Sequence, residues 1–169
     1  MDGLPNKLLC SLACLVPLLF SAMVQANDRS PPGSDSAEGV VDATFEMVHQ
    51  FSDCVGFWTA FSSIERSMDQ PAAAEESDQI ANGADLSAVY LLVSLHQMQN
   101  PDGPGPDMTA LRAYVGGRAE AARATYLARV ERDGFGSLVE PMQSCNAMRP
   151  VAQSIIDRLG AESIGIQRD

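Results

Sequence analysis

Cys54 and Cys145 are the residues of this chain with the clearest chemistry. They are what remains of four cysteines once an N-terminal segment holding Cys10 and Cys14 is set aside. Each falls on an apolar stripe of helical spacing, and neither belongs to a C-x-x-C redox motif. In an oxidising compartment two such thiols form one structural disulfide. The bridge would close a loop of roughly 90 residues, a constraint on the unfolded chain of about 4 to 5 kcal/mol.

His49 and His96 are the two imidazoles, on different predicted helices. Glu46 and His49 form an E-x-x-H pair, but a di-iron bundle needs two such pairs and two further glutamates. Val93 stands three before His96, so the second pair is missing. His49 also lies off the core stripe of its helix, and the pair reads as surface. With Met47, Met98, Met108, Met142 and Met148, the histidines are candidates for His/Met ligation of haem iron or copper. Methionines at helical spacing are ordinarily core filler, and no C-x-x-C-H is present for covalent haem. We therefore assign no cofactor, and keep His49 and His96 as the positions a metal would use.

The remaining candidates lie on the third predicted helix. Gly116 and Gly117 sit mid-helix beside Ala119, Ala121, Ala122 and Ala124. Small side chains let helices approach closely, or leave a groove for an apolar ligand or partner helix. The same helix holds Arg112, Arg118, Arg123, Arg129 and Arg132, flanking its apolar stripe as side chains at a bundle seam do. No nucleophile elbow, H-E-x-x-H pair, phosphate-cradling loop or dinucleotide fingerprint occurs. Glu75-Glu76 reads as solvated surface. No residue is assigned a catalytic role.

The segment that removes Cys10 and Cys14 resembles an export signal. Lys7 precedes an apolar stretch from Leu8 to Val24, and Val24-Gln25-Ala26 offers the small residues a signal peptidase accepts. Residues 1–26 are expected to be cleaved, because a spanning helix needs about 20 apolar residues and this stretch is shorter and holds Pro17. Cleavage leaves about 143 residues, enough for one domain with a core. The net charge of -11 disfavours nucleic acid and anionic membrane as partners. Beyond Lys7 every basic residue is Arg, which GC-rich codon usage explains with the abundance of Ala and Gly.

The elements that would position these residues are four amphipathic helices. Residues 27–36 form a polar, proline-bearing, flexible leader, and its Asp35 or Ser36 caps the helix that follows. The first helix runs to about Met68, with Val40, Thr44, Met47, Phe51, Cys54, Trp58 and Phe61 on its stripe. The second follows Pro71 with Ile80, Ala84, Ala88, Leu91, Leu95 and Met98, and Gly83 is a point where it would split. Residues 100–106 are a Pro/Gly connector. The third helix is capped by Asp107 and ends at Gly134, with Met108, Leu111, Val115, Ala119 and Tyr126 inward. The fourth begins with a Ser137/Glu140 capping box, carries Met142, Cys145, Met148 and Ile155 inward, holds Pro150, and stops at Gly160.

The expected fold is all-α: an up-down-up-down four-helix bundle over 37–160, its first and fourth helices tied by Cys54–Cys145, with a loose tail over 161–169. The expected function is that of a small acidic periplasmic protein, or one secreted further. It would act by binding another envelope protein or its own copy, as inhibitors, immunity proteins, chaperones or adaptors do. The alternative is a carrier of haem, copper or an apolar small molecule between the helices. Stable membrane insertion after cleavage is not expected.

Overall fold

The structure, a computed structural model, describes residues 37–166. The export signal at 1–26 and the leader at 27–36 lie outside the described residues. Four helices and no strand occupy the described residues: α1 (Ala37–Ser67), α2 (Pro71–Gln99), α3 (Met108–Asp133) and α4 (Val139–Ile166). A 3-10 turn, Phe135–Leu138, leads into α4. Among the described residues no helix is long and apolar enough to cross a membrane. The all-helical architecture holds, and Cys54–Cys145 joins α1 to α4.

The neighbour pattern differs from a ring of alternating helices. Such a ring would set α3 against α2 and α4, but α3 sits chiefly on α1. α1 is the hub: it pairs most extensively with α2, then with α3, and α4 lies more lightly against α2 and α1. The reason is in the burial of α1. A single apolar stripe about 100° wide holds adjacent pairs but not three residues in a row, which span about 200°, yet Gly56, Phe57 and Trp58 are all buried, as is Ala60 beyond them. The i, i+3, i+4 stripe is only part of an apolar surface that wraps most of the helix.

The α1–α2 pairing draws on small residues. The buried positions of α2 include Ala74, Ser77, Ala81, Ala84, Ser87 and Ala88, and α1 buries Thr44, Ser52 and Ser62 completely. Several of these hydroxyls donate to the carbonyl four residues back: Thr44 to Val40 at 2.8 Å, Ser52 to Val48 at 2.7 Å and Ser87 to Gly83 at 2.8 Å. That satisfies a buried polar group inside its own helix and leaves a thin surface for a close neighbour. Glu65 is likewise buried, and it accepts a 2.7 Å hydrogen bond from Ser77 across the pair.

Local chemistry sets most helix ends. Asp69 takes the left-handed conformation (φ 59°), and the Gln70 N–H reaches back to the Glu65 carbonyl at 2.9 Å. This is a Schellman closure of α1, after which Pro71 opens α2 at a position needing no donor. Asp107 caps α3, accepting from the Thr109 and Ala110 amides at 2.9 and 3.2 Å. Gly134 at φ 76° ends it.

Three local expectations change. α2 runs unbroken through Gly83, whose added Cβ would only graze Ile156 at 3.5 Å. Ser137 lies inside the 3-10 turn and donates to the Gly134 carbonyl at 2.6 Å, so it forms no capping box with Glu140. α4 passes Gly160 and continues to Ile166, because Gly160 does not take the left-handed conformation of a terminating glycine.

Candidate functional site

The disulfide lies at the edge of an open cleft. Cys54 on α1 and Cys145 on α4 have Cα atoms 5.4 Å apart and are 5% and 4% exposed. They line a cavity of about 500 Å³ between α1, α3 and α4, together with Gln50, Asp53, Tyr126, Arg129, Glu140 and Met148. Its charges are compensated in pairs. Asp53 accepts from Arg118 at 2.9 Å, and Arg129 approaches Glu140 at 3.9 Å. Burial, and then the negative charge of Asp53, push the Tyr126 phenol above its ordinary range and keep it protonated. No imidazole lines this cleft, Ser144 on its wall is exposed, and the carboxylates that line it, Asp53 and Glu140, face Arg118 and Arg129.

The two histidines have local partners. His49 Nε2 shares a 2.7 Å hydrogen bond with the Tyr114 hydroxyl of α3, and its ring stands edge-on to Phe45. Glu46 is exposed and accepts from Gln50, not from His49. His96 Nε2 donates to the Pro104 carbonyl at 3.0 Å, fastening the connector to the end of α2. Among the described residues no cluster of three or more His, Cys, Asp or Glu is placed to hold a metal ion. The arginines of α3 divide as seam residues do. Arg118 and Arg129 reach neighbouring helices, while Arg123 pairs with Glu120 and Arg132 with Asp133 on α3 itself.

Gly116 and Gly117 are exposed, and a Cβ added to either would meet nothing within 4 Å. The close helix approach falls instead on Gly56 of α1. A Cβ there would lie 2.3 Å from the Ala119 carbonyl oxygen, 2.7 Å from Ala122 Cβ and 2.8 Å from the Arg123 nitrogen. Sequence reasoning passed over Gly56, although a glycine in the run Cys54-Val55-Gly56-Phe57-Trp58 of the most apolar helix is the available signal.

A second cavity opens at the end of the bundle where α1 finishes and α4 begins. It measures about 300 Å³ and is walled by Phe61, Ile64, Met68, Phe135, Leu138, Val139 and Met142. No polar or charged side chain lines it. Its outer residues are open to solvent: Phe135 and Val139 are each 55% exposed and Met68 is 47%. Spacing ends the first helix at about Met68 and the third at Gly134, and gives no sign that the two ends share a hollow. The 3-10 turn, which spacing does not reveal, lifts Phe135 and Val139 outward around buried Leu138. A third groove of about 400 Å³, between α2 and α4, is edged by polar Glu76, Gln79, Arg149 and Gln153.

The cleft at the disulfide presents balanced ion pairs and a neutral phenol, and the end pocket presents a bare apolar hollow. Comparison with family models, curated proteins and solved structures finds no match to this chain.

Proposed function

We propose that the protein is exported to the periplasm and acts there by binding another protein, with no catalytic step of its own. The observation that carries this reading is the end pocket. Phe135, Val139 and Met68, half-open around an apolar hollow, form the kind of exposed patch that a partner covers. The export half of the reading is supported by the apolar stretch ending at Ala26 and by a disulfide buried in the core. Ion pairs on the seams add little to stability and leave an acidic surface that favours solubility.

Two measurements test the proposal. The protein recovered from the periplasm should begin at Asn27 and weigh two hydrogens less than the reduced chain. Extra mass from haem, copper or an apolar molecule would move the assignment to a carrier. In crosslinking from envelope extract, a partner should be captured by the native chain and lost with Phe135→Ser. Equal capture by both would remove the end pocket from the function.

A further inference from the structure

We propose that the groove between α2 and α4 binds a small zwitterion, an amino acid or dipeptide, with its carboxylate on Arg149 and its ammonium on Glu76. This site stands apart from the end pocket and goes beyond the protein-binding reading. Spacing builds its frame. Glu76, Ile80 and Gly83 fall on one face of α2, and Arg149, Ala152 and Ile156 on one face of α4. The two faces wall a hollow of about 400 Å³, in the lower part of the range for small-molecule sites.

Opposite charges on opposite walls select the ligand. The ion pairs among the described residues engage Arg66, Arg118, Arg123, Arg129 and Arg132. Arg149 and Glu76 belong to none of them and do not close on each other. Both are exposed, so a direct pair between them would gain little over their hydration. A ligand that carries both a carboxylate and an ammonium answers both at once, and a guanidinium takes a carboxylate through two parallel hydrogen bonds. A molecule of no net charge also escapes the repulsion that a protein of net charge -11 exerts on a simple anion.

The floor gives the ligand its body. A Cβ at Gly83 would lie 3.5 Å from Ile156 Cδ1, an ordinary contact, so packing does not require glycine there. Nor does the backbone, since α2 runs unbroken through Gly83 without a left-handed φ. Glycine within a helix is less favourable than alanine. What the missing side chain leaves is open space beside Ile80, Ala152 and Ile156, where a short aliphatic side chain is covered. At the groove edge the Gln153 amide donates to Asp157 at 2.7 Å, which leaves its oxygen to accept from an ammonium or peptide N–H.

The test follows amide resonances of the oxidised, isotope-labelled chain from Asn27 to Asp169 during titration with L-leucine or alanyl-leucine. Signals from residues 76–83 and 149–156 should shift and saturate with a Kd below about 10 mM, and the tighter binder of the two sets the ligand's length. N-acetyl-leucine lacks the ammonium and leucinamide the carboxylate, so each should bind at least about tenfold more weakly. Arg149→Gln and Glu76→Gln, both at exposed positions, should weaken leucine or dipeptide binding by about the same factor. The exchanged pair, Glu76→Arg with Arg149→Glu, should recover it, which a merely structural role would not produce. Gly83→Ala should raise the urea midpoint yet weaken binding, because its methyl group enters the groove. Binding of N-acetyl-leucine or leucinamide as tight as that of leucine would overturn the zwitterion. Saturating shifts confined to the surroundings of Cys54 and Cys145 would overturn the placement in favour of the disulfide cleft. No saturable shift with either probe at about 50 mM would overturn the site, while Phe135-dependent capture of a protein would stand.

Discussion

A Cβ at Gly56 would stand 2.3 Å from the carbonyl oxygen of Ala119, so α1 and α3 meet with no side chain between them at that point. Because the obstructing atom is backbone, the clash cannot be relieved by a rotamer change. Gly56→Ala should therefore lower stability by about 1–3 kcal/mol even though alanine favours the helix by about 1 kcal/mol. Gly116→Ala and Gly117→Ala meet open space and should each raise stability by about 0.5–1 kcal/mol. Urea denaturation of the three variants checks the opposite signs. An unchanged Gly56→Ala midpoint would contradict the close crossing.

The disulfide should matter most to α4. That helix packs more lightly than the others, and among its described side chains Pro141, Cys145, Met148 and Ile155 are buried. The paired Cys54→Ser, Cys145→Ser variant should lose about 4 kcal/mol, from a loop of 91 residues set free in the unfolded chain. Amide exchange should rise first and furthest in α4, with the α1–α2 pair the last to open. Uniform loss of protection in all four helices would instead mark α4 as part of one cooperative unit.

Acid should weaken the α1–α2 hairpin through Asp78. A hydrogen bond from Ser62, and then the Arg66 guanidinium, hold its carboxyl below the ordinary value of 3.8. A depressed folded pKa adds stability that is complete above 3.8 and disappears as pH falls through the lower folded value. Asp78→Asn should make the acid limb of the stability curve shallower below 3.8 and leave the shape of the curve near neutrality unchanged. Both side chains are well exposed, at 55% for Arg66 and 38% for Asp78, so added salt should shrink the difference. An acid limb identical in the two proteins would remove Asp78 from the account.

Pro150 lies inside α4, where it lacks an N–H for the Asn146 carbonyl. It is exposed, so replacing it opens no cavity. Pro150→Ala should raise stability by about 1–3 kcal/mol, read as a higher urea midpoint at constant slope. A lower midpoint would show that the proline is required where it stands.

Asp107→Ala should cost about 1 kcal/mol, since the two amides it accepts from at the start of α3 would lose their partner. Thermal unfolding followed by circular dichroism measures it, and Asp107→Asn should recover most of the loss.

Helix positions were legible from spacing because a 3.6-residue period repeats within each segment, independent of any other part of the chain. So were the Asp107 cap, the Gly134 stop and the placement of Cys54 and Cys145 on inward stripes, each decided by residues a few positions apart. What α1 touches was not legible. Its stripe names one face, whereas the buried run Gly56-Phe57-Trp58, which spans about 200° around the helix, exists only because helices pack on several sides at once. The same holds for small residues. Gly56, Gly116 and Gly117 all sit mid-helix, and although the apolar run around Gly56 hints at burial, only the arrival of α3 makes it indispensable and leaves the other two facing water. The end pocket was hidden for a related reason, since its walls come from positions 61–68 and 135–142 and join only when the 3-10 turn brings α4 beside the end of α1. Local spacing determined the helices and their caps; which faces meet, and which stay open for a partner, was decided by contacts between residues distant in the chain.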